Sequence, residues 1–173
     1  MKIIQCDESI HSNQILDIFN YEINHSTALF DYKSRTMDMM KKWFENKRNG
    51  NFPVIGAINN NDELMGFVSY GPFRAWPAYK YTVEHSIYVD KKFRGQGIGN
   101  KLMNEIIEVA GKQHYHVIMA GIESNNKTSI KLHEKHGFKL CGRIDQVGFK
   151  FGKWLDLDFM QLILKTPINP NDL

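Results

Sequence analysis

No stretch of this sequence approaches the roughly 20 consecutive apolar residues that a membrane-crossing helix needs. The opening Met1-Lys2-Ile3-Ile4-Gln5-Cys6-Asp7 also lacks the long apolar segment of a secretory signal. A cytoplasmic protein without a membrane partner is expected. Cysteine is nearly missing: Cys6 and Cys141 stand alone, without a Cys-x-x-Cys partner, which disfavours a disulfide and fits buried or partly buried reduced thiols. An excess of charge of one sign is lacking too. The 22 basic and 19 acidic residues leave a formal charge of +3. Apart from short runs such as Lys41-Lys42 and Lys91 to Arg94, the basic residues are dispersed, so they read as solvated surface and not as a nucleic-acid footprint. His11, His25, His114, His116 and His136 have no ligand spacing, and no metal is expected. Repeats and low-complexity segments are absent. With 173 residues, 42% hydrophobic and 24% charged, the chain suits one domain over 1–165, followed by a polar, proline-bearing tail, 166–173.

What is present concentrates between Tyr81 and Leu102. Val83, His85, Ile87 and Val89 alternate with Glu84, Ser86 and Tyr88, in residue types that suit a strand. Glycines at 95, 97 and 99 follow a basic cluster, and Ile98, Leu102, Ile106 and Val109 then recur at a helical interval. A glycine loop entering a helix exposes backbone N–H groups at a positive helix end, where an anion such as phosphate can approach. Two standard phosphate motifs are excluded. A Walker loop needs Gly-Lys-Ser/Thr where Gly99-Asn100 stands, and a dinucleotide fingerprint needs Gly-x-Gly-x-x-Gly near the start of a βαβ unit. Arg94-Gly95-Gln96-Gly97-Ile98-Gly99 instead resembles the pyrophosphate loop, Arg/Gln-x-x-Gly-x-Gly/Ala, of the GNAT acetyltransferases.

The remaining segments read as scaffold with two exceptions. Residues 2–6 form a short strand, and Asp7 or Ser9 caps a helix burying Ile15, Ile18 and Phe19. Thr36 caps a second helix with Met40, Trp43 and Phe44 inward, ended by Gly50. Pro53 to Ile58 and Leu64 to Tyr70 form a hairpin about Asn59-Asn60-Asn61-Asp62. After the glycine loop come a helix to about Gln113, a strand Val117 to Ile122, and a helix capped within Glu123 to Asn126 and ended by Gly137. Closing strands Phe138 to Ile144 and Trp154 to Leu164 flank Gly148 to Gly152. The first exception is Asn24 to Asp31, whose polar and aromatic mix suits either a pocket wall or a loop that tucks Leu29 and Phe30 into the core. The second is Gly71 to Lys80, with two prolines and three aromatics around Arg74. It reads either as a recognition loop whose arginine fork holds a carboxylate, or as a rigid connector.

The element order is the GNAT plan over nearly the whole chain, which implies an α/β (α+β) fold with a mixed, largely antiparallel central sheet flanked by helices. Thr82-Val-Glu-His-Ser-Ile-Tyr-Val89, Ala120-Gly-Ile-Glu-Ser124, Leu132-His-Glu134 and Gln146-Val-Gly-x-Lys-Phe-Gly-x-Trp-Leu-Asp-Leu157 resemble the phosphinothricin and methionine sulfone/sulfoximine N-acetyltransferases. That resemblance implies transfer of acetyl from acetyl-CoA to the α-amino group of a small amino acid or analogue, usually in a homodimer. An α-ammonium must lose a proton before it attacks, and Glu84 is the base the resemblance implies; a hydrogen-bond anchor for the amine is the alternative role. Backbone groups of Ile87, Tyr88 and Val89 should, by the resemblance, border the pantetheine arm, with an N–H there as the oxyanion donor. Arg94, Gly95, Gln96, Gly97, Ile98, Gly99 and Asn100 should hold the pyrophosphate, with Asn126 contacting the arm or serving only as a helix cap. His133 stands where many GNAT enzymes have a tyrosine, either as a proton donor to the leaving thiolate or as a group that positions the coenzyme. Arg74, Ala75, Trp76 and Pro77, then Glu84, His85 and Ser86, are implied around the acceptor. Two rival functions share the cofactor loop: a peptide or protein N-terminal acetyltransferase, and a non-catalytic acyl-CoA-binding sensor.

Overall fold

Local chemistry fixes the helix starts. In the computed structural model, which describes residues 1–172, strand β1 (Lys2–Gln5) passes into helix α1 (Glu8–His25) through Asp7, whose side chain accepts from Ser9 N at 2.7 Å. Helix α2 (Met37–Asn49) is capped by Thr36 in the same way. Each such cap satisfies an orphan N–H and contributes about 1 kcal/mol. Strands β2 (Val54–Ile58), β3 (Leu64–Pro72) and β4 (Thr82–Val89) lead to helix α3 (Ile98–Lys112). Strand β5 (Val117–Glu123), helix α4 (Lys127–Lys135), strand β6 (Lys139–Lys150) and strand β7 (Lys153–Ile163) follow. The strands form one seven-stranded sheet in the order β1-β2-β3-β4-β5-β7-β6, mostly antiparallel, as the mixed α/β expectation required. Leu173, the last residue of the expected tail, lies outside the described residues.

The chain divides into two compact units: Met1–Ser69 with Ile87–Met103, and Tyr70–Ser86 with the chain from Asn104 onward. In the first unit, Ile15, Phe19, Met40, Phe44 and Phe67 form the core, with Phe67 fully buried. Phe19 meets Trp43, Phe67 and Tyr88 edge-on at 5.6, 5.1 and 5.2 Å between ring centroids, and such pairs add about 1 kcal/mol each beyond the area they bury. The hairpin turn is held by Asn59 Oδ1, which accepts from Asn61 N and Glu63 N at 2.8 and 3.0 Å. Leu29 packs against this core while Phe30 stays 38% exposed, so of the two large apolar residues in the 24–31 segment only Leu29 tucks in. A Cβ on Gly66 would lie 2.7 Å from Tyr88 O and 3.1 Å from Val89 Cα, a close backbone approach that a side chain would block.

In the second unit, β5 pairs antiparallel with β7 from Val117↔Ile163 to Glu123↔Leu157. Asp158 is buried on β7 and accepts from Arg143 Nε and Nη2 at 2.6 and 2.9 Å and from Ser124 Oγ at 2.8 Å. The Arg143 fork, foremost, holds the Asp158 carboxyl below the usual range. One expectation is corrected here: β6 does not stop at Ile144. Gln146 adopts φ 52, the register shifts between Ile144 and Gly148, and pairing resumes at Gly148↔Leu155 up to a tight turn at Phe151 and Gly152, φ 50 and 74. The irregularity absorbs the extra residues and keeps the strand paired.

Candidate active site

Within the first unit, Asp90 Oδ1 accepts from Lys92 N at 2.8 Å and starts a single turn, Lys91–Phe93, ahead of the glycine loop. Gly95 and Gly97 both have φ of 78, a left-handed conformation that glycine adopts without strain. A Cβ on either would meet nothing within 4 Å, so the space over the loop is open from the protein's side. Helix α3 begins at Ile98, whose side chain is 2% exposed, leaving its backbone N–H as its polar contribution to the loop. Asn100 Oδ1 is buried without a partner. Open space over positive-φ glycines and helix-start N–H groups together fit a bound pyrophosphate; the amide oxygen of Asn100, which only accepts, is not one of its donors. Arg94 differs from its expected role: its guanidinium donates to the Glu22 carboxylate and to Val89 O. Tyr88 lends its ring to the core through Phe19 and Phe67, at 5.2 and 5.4 Å, which leaves its backbone for the expected contact.

Within the second unit, β4 pairs in parallel with β5 through Thr82↔Val117, Val83↔Ile118 and Glu84↔Met119, and the ladder ends there. Glu84 is half-buried over Gly121: a Cβ on that glycine would stand 3.2 Å from Glu84 Oε1. Leu157 and Phe159 approach the same spot at 3.7 Å each. No hydrogen bond from the described residues reaches the Glu84 carboxylate. Burial pushes its pKa up, and the positive charge of Arg74 offsets part of that rise. Arg74 itself is exposed, with its guanidinium 4.7 Å above the Phe73 ring, which in turn meets Tyr79 and Phe159 edge-on. Ala75, Trp76 and Pro77 are exposed beside it, Trp76 by 68%, so the loop's packing rests on Phe73.

Alternation along β4 turns His85 away from the Glu84 side, and Ser86 back towards it. The side chain of His85 is therefore not an acceptor contact beside Glu84. It is buried, with Nε2 2.9 Å from His133 Nε2, and both rings lie against Phe138. Hydrogen bonding assigns the protons. Ser129 O, 2.7 Å from His133 Nδ1, can only accept, so that nitrogen carries the hydrogen. Burial lowers the pKa of both histidines, most strongly that of His85, so both are neutral. His133 Nε2 must then accept from His85 Nε2–H, and His85 Nδ1 is left as a buried, unpartnered lone pair. In this arrangement His133 Nε2 is taken up by His85. Asn126 caps α4, its Oδ1 accepting from Ser129 N at 3.1 Å.

Sequence reasoning missed Gly121, for which an isolated glycine in a strand was an available signal. It also missed Glu22, 72 residues from its partner Arg94, for which no local signal exists. Among the described residues, no group of three His, Cys, Asp or Glu side chains is arranged to hold a metal.

Comparison with known proteins bears on the whole arrangement. An L-methionine sulfoximine/L-methionine sulfone acetyltransferase of Pseudomonas aeruginosa is 41% identical over 87% of each chain. A phosphinothricin N-acetyltransferase of Streptomyces coelicolor is more distant, 29% identical over 83% of this chain and 85% of its own. An Acinetobacter baylyi structure superposes with a TM-score of 0.97 at 51% identity, covering 99% and 96% of the two chains. An acetyltransferase of Salmonella typhimurium, solved with acetyl-CoA, does so at 0.92 and 36%, covering 98% and 97%. A ribosomal-protein-alanine N-acetyltransferase of Brucella melitensis gives 0.92 at 39%, covering 95% and 100%. The sequence profile described as the acetyltransferase (GNAT) family matches residues 18–138, from α1 through the glycine loop to the end of α4, and the chain belongs to that family.

Proposed function

We propose that this protein transfers the acetyl group of acetyl-CoA to the α-amino group of a small amino acid or analogue of the methionine sulfone, methionine sulfoximine or phosphinothricin kind. One observation carries the reading: a half-buried carboxylate, Glu84, without a hydrogen bond from the described residues, has Arg74 as its nearby opposite charge. An α-amino acid is the complementary zwitterion, with a carboxylate for the exposed arginine fork and an ammonium for the glutamate. Acetyl-CoA supplies the activated acetyl thioester. Glu84 takes a proton from the ammonium, directly or through water, and the freed lone pair attacks the thioester carbon. Backbone N–H of residues 87–89, on the same strand as Glu84, faces the negative charge developing on the carbonyl oxygen. Gly95 to Asn100 hold the pyrophosphate. The C–S bond breaks to a coenzyme thiolate, a good leaving group near neutral pH, and the second proton shed by the nitrogen as the amide forms passes to that thiolate through water, so His133, which holds His85, need not donate one. His133 and His85 then act as positioning residues, and Asn126 as the cap that orients α4.

The reading treats residues 1–165 as one catalytic domain. It places the protein in the cytoplasm, in keeping with two free thiols, Cys6 buried and Cys141 exposed. It also makes the protein a homodimer through the exposed apolar side chains of β6 and the turn that follows it. A peptide acceptor is the second reading, which the similarity to the Brucella enzyme favours. Kinetics with free amino acids, their carboxyl amides and short peptides as acceptors separate the two. Turnover of methionine sulfone with loss of activity on its amide supports the small-acceptor reading, and a preference for peptides overturns it. Absence of transfer to any acceptor, with acetyl-CoA still bound, would instead support a sensor.

A further inference from the structure

We propose that Glu22 is a positioning residue for the glycine loop: its buried carboxylate holds the Arg94 guanidinium, which serves as a tether at the loop's entry and not as a ligand for phosphate. The inference rests on the reading of residues 95–100 as the pyrophosphate site. Glu22 sits near the end of α1 and is only 5% exposed, a rare place for a carboxylate that is not paired. Both of its oxygens are engaged. Oε1 accepts from Arg94 Nη2, and Oε2 accepts from Ser26 Oγ at 2.7 Å. Arg94 also donates from Nε to Val89 O at 3.2 Å, so one guanidinium joins α1 to the end of β4. Gly95 follows directly.

A loop with two glycines at positive φ has little stiffness of its own, so the direction of its N–H groups must be set from its flanks. Behind it the anchor is the buried side chain of Ile98. In front it is Arg94. A guanidinium neutralised by a buried carboxylate presents little net charge to a phosphate, whereas it fixes the backbone from which Gly95 departs. The Ser26 oxygen that donates to Glu22 also accepts from Ala28 N at 3.1 Å, so the same carboxylate anchors the start of the segment after α1.

The test compares wild type, Glu22→Gln, Arg94→Gln and the double variant, with two donors: acetyl-CoA and S-acetylpantetheine, which has the thioester but no pyrophosphate. Each single variant is expected to raise KM for acetyl-CoA roughly tenfold at nearly constant kcat, within the range that contact couplings reach. The double variant should be no worse than either single one, and all four proteins should perform alike with S-acetylpantetheine. Arg94 is half exposed, so water can solvate it when Glu22 is changed. Should Glu22→Gln fail to fold, the double variant, in which neither charge is left alone, supplies the same comparison. An unchanged or lowered KM in Glu22→Gln beside a raised one in Arg94→Gln would make Arg94 a direct phosphate ligand and overturn the tether. Equal losses with both donors would reduce Glu22 to general support of the fold and overturn it equally. Gly97→Ala separates the two levels of the argument. If that variant loses acetyl-CoA affinity while Glu22→Gln does not, only the tether falls; if it binds acetyl-CoA normally, the loop reading falls first and the tether with it.

Discussion

Glu84 and the histidine pair titrate in opposite directions for the same reason, the exclusion of water from the charged form. For Glu84 that raises the pKa, so the acid limb of kcat/KM should lie above the range of an exposed glutamate. Glu84→Gln is expected to keep the fold and acetyl-CoA affinity, to lose that limb, and to cut kcat roughly 100-fold at neutral pH. The deficit should narrow as pH approaches the amine's own pKa, where free amine needs no base. A pH-rate profile on methionine sulfone checks this, and near wild-type kcat at pH 7 would remove Glu84 as base. For His85 and His133 the folded pKa lies below the ordinary histidine value. Their contribution to stability is complete above an unfolded pKa of about 6.5 and falls as pH drops below it, by up to about 1.4 kcal/mol per pH unit for each proton the unfolded chain alone binds. Melting curves between pH 7.5 and 5 should therefore slope less steeply in His85→Gln than in wild type. Equal slopes would mean that the pair is not held neutral.

Short elements carry the cofactor half of the site, and these were the most legible part of the sequence. Helix caps at Asp7, Thr36 and Asn126 are local chemistry, readable without knowledge of the rest of the chain. The glycine loop is likewise local, which gives it a clean test. Because a methyl group at Gly97 would meet no protein atom within 4 Å, Gly97→Ala should cost only the strain of a positive φ, about 1 kcal/mol, in the free protein. The larger loss should appear against acetyl-CoA, as a roughly tenfold or greater weakening by calorimetry, since the methyl projects into the space open for a phosphate. Similar affinities in a folded variant would end the pyrophosphate assignment. Features set by distant partners were not legible. Nothing near Arg94 announces Glu22, nothing near His85 announces His133 48 residues on, and the extension of β6 past Ile144 depends on Gln146 taking a conformation that glutamine seldom takes.

At the scale of the whole molecule, the sheet ends on one side in β6, a twelve-residue edge strand. Leu140, Ile144, Val147 and Phe149 on that strand, Phe151 in its turn and Trp154 at the start of β7 are 44 to 62% exposed. A long edge bearing that many apolar groups invites pairing, and proteins that stay monomeric blunt such edges with charge, proline or a cover. Here the run from Gln146 to Phe149 has no charged residue. A second copy of the chain is the occupant the homodimer reading requires, and light scattering should give twice the 20.1 kDa of one chain. Replacing Val147 and Trp154 together by lysine should yield the monomer, because each lysine would have to be desolvated at the interface. The effect should reach the acceptor before the coenzyme. Leu157 and Phe159, which flank the spot beside Glu84, belong to the strand that β6 pairs with, whereas the glycine loop belongs to the other compact unit. The lysine variant should therefore raise KM for the amino acid while acetyl-CoA binding stays close to wild type. A wild-type chain that runs as a monomer at micromolar concentration would overturn the dimer, and the apolar edge would then need a different partner.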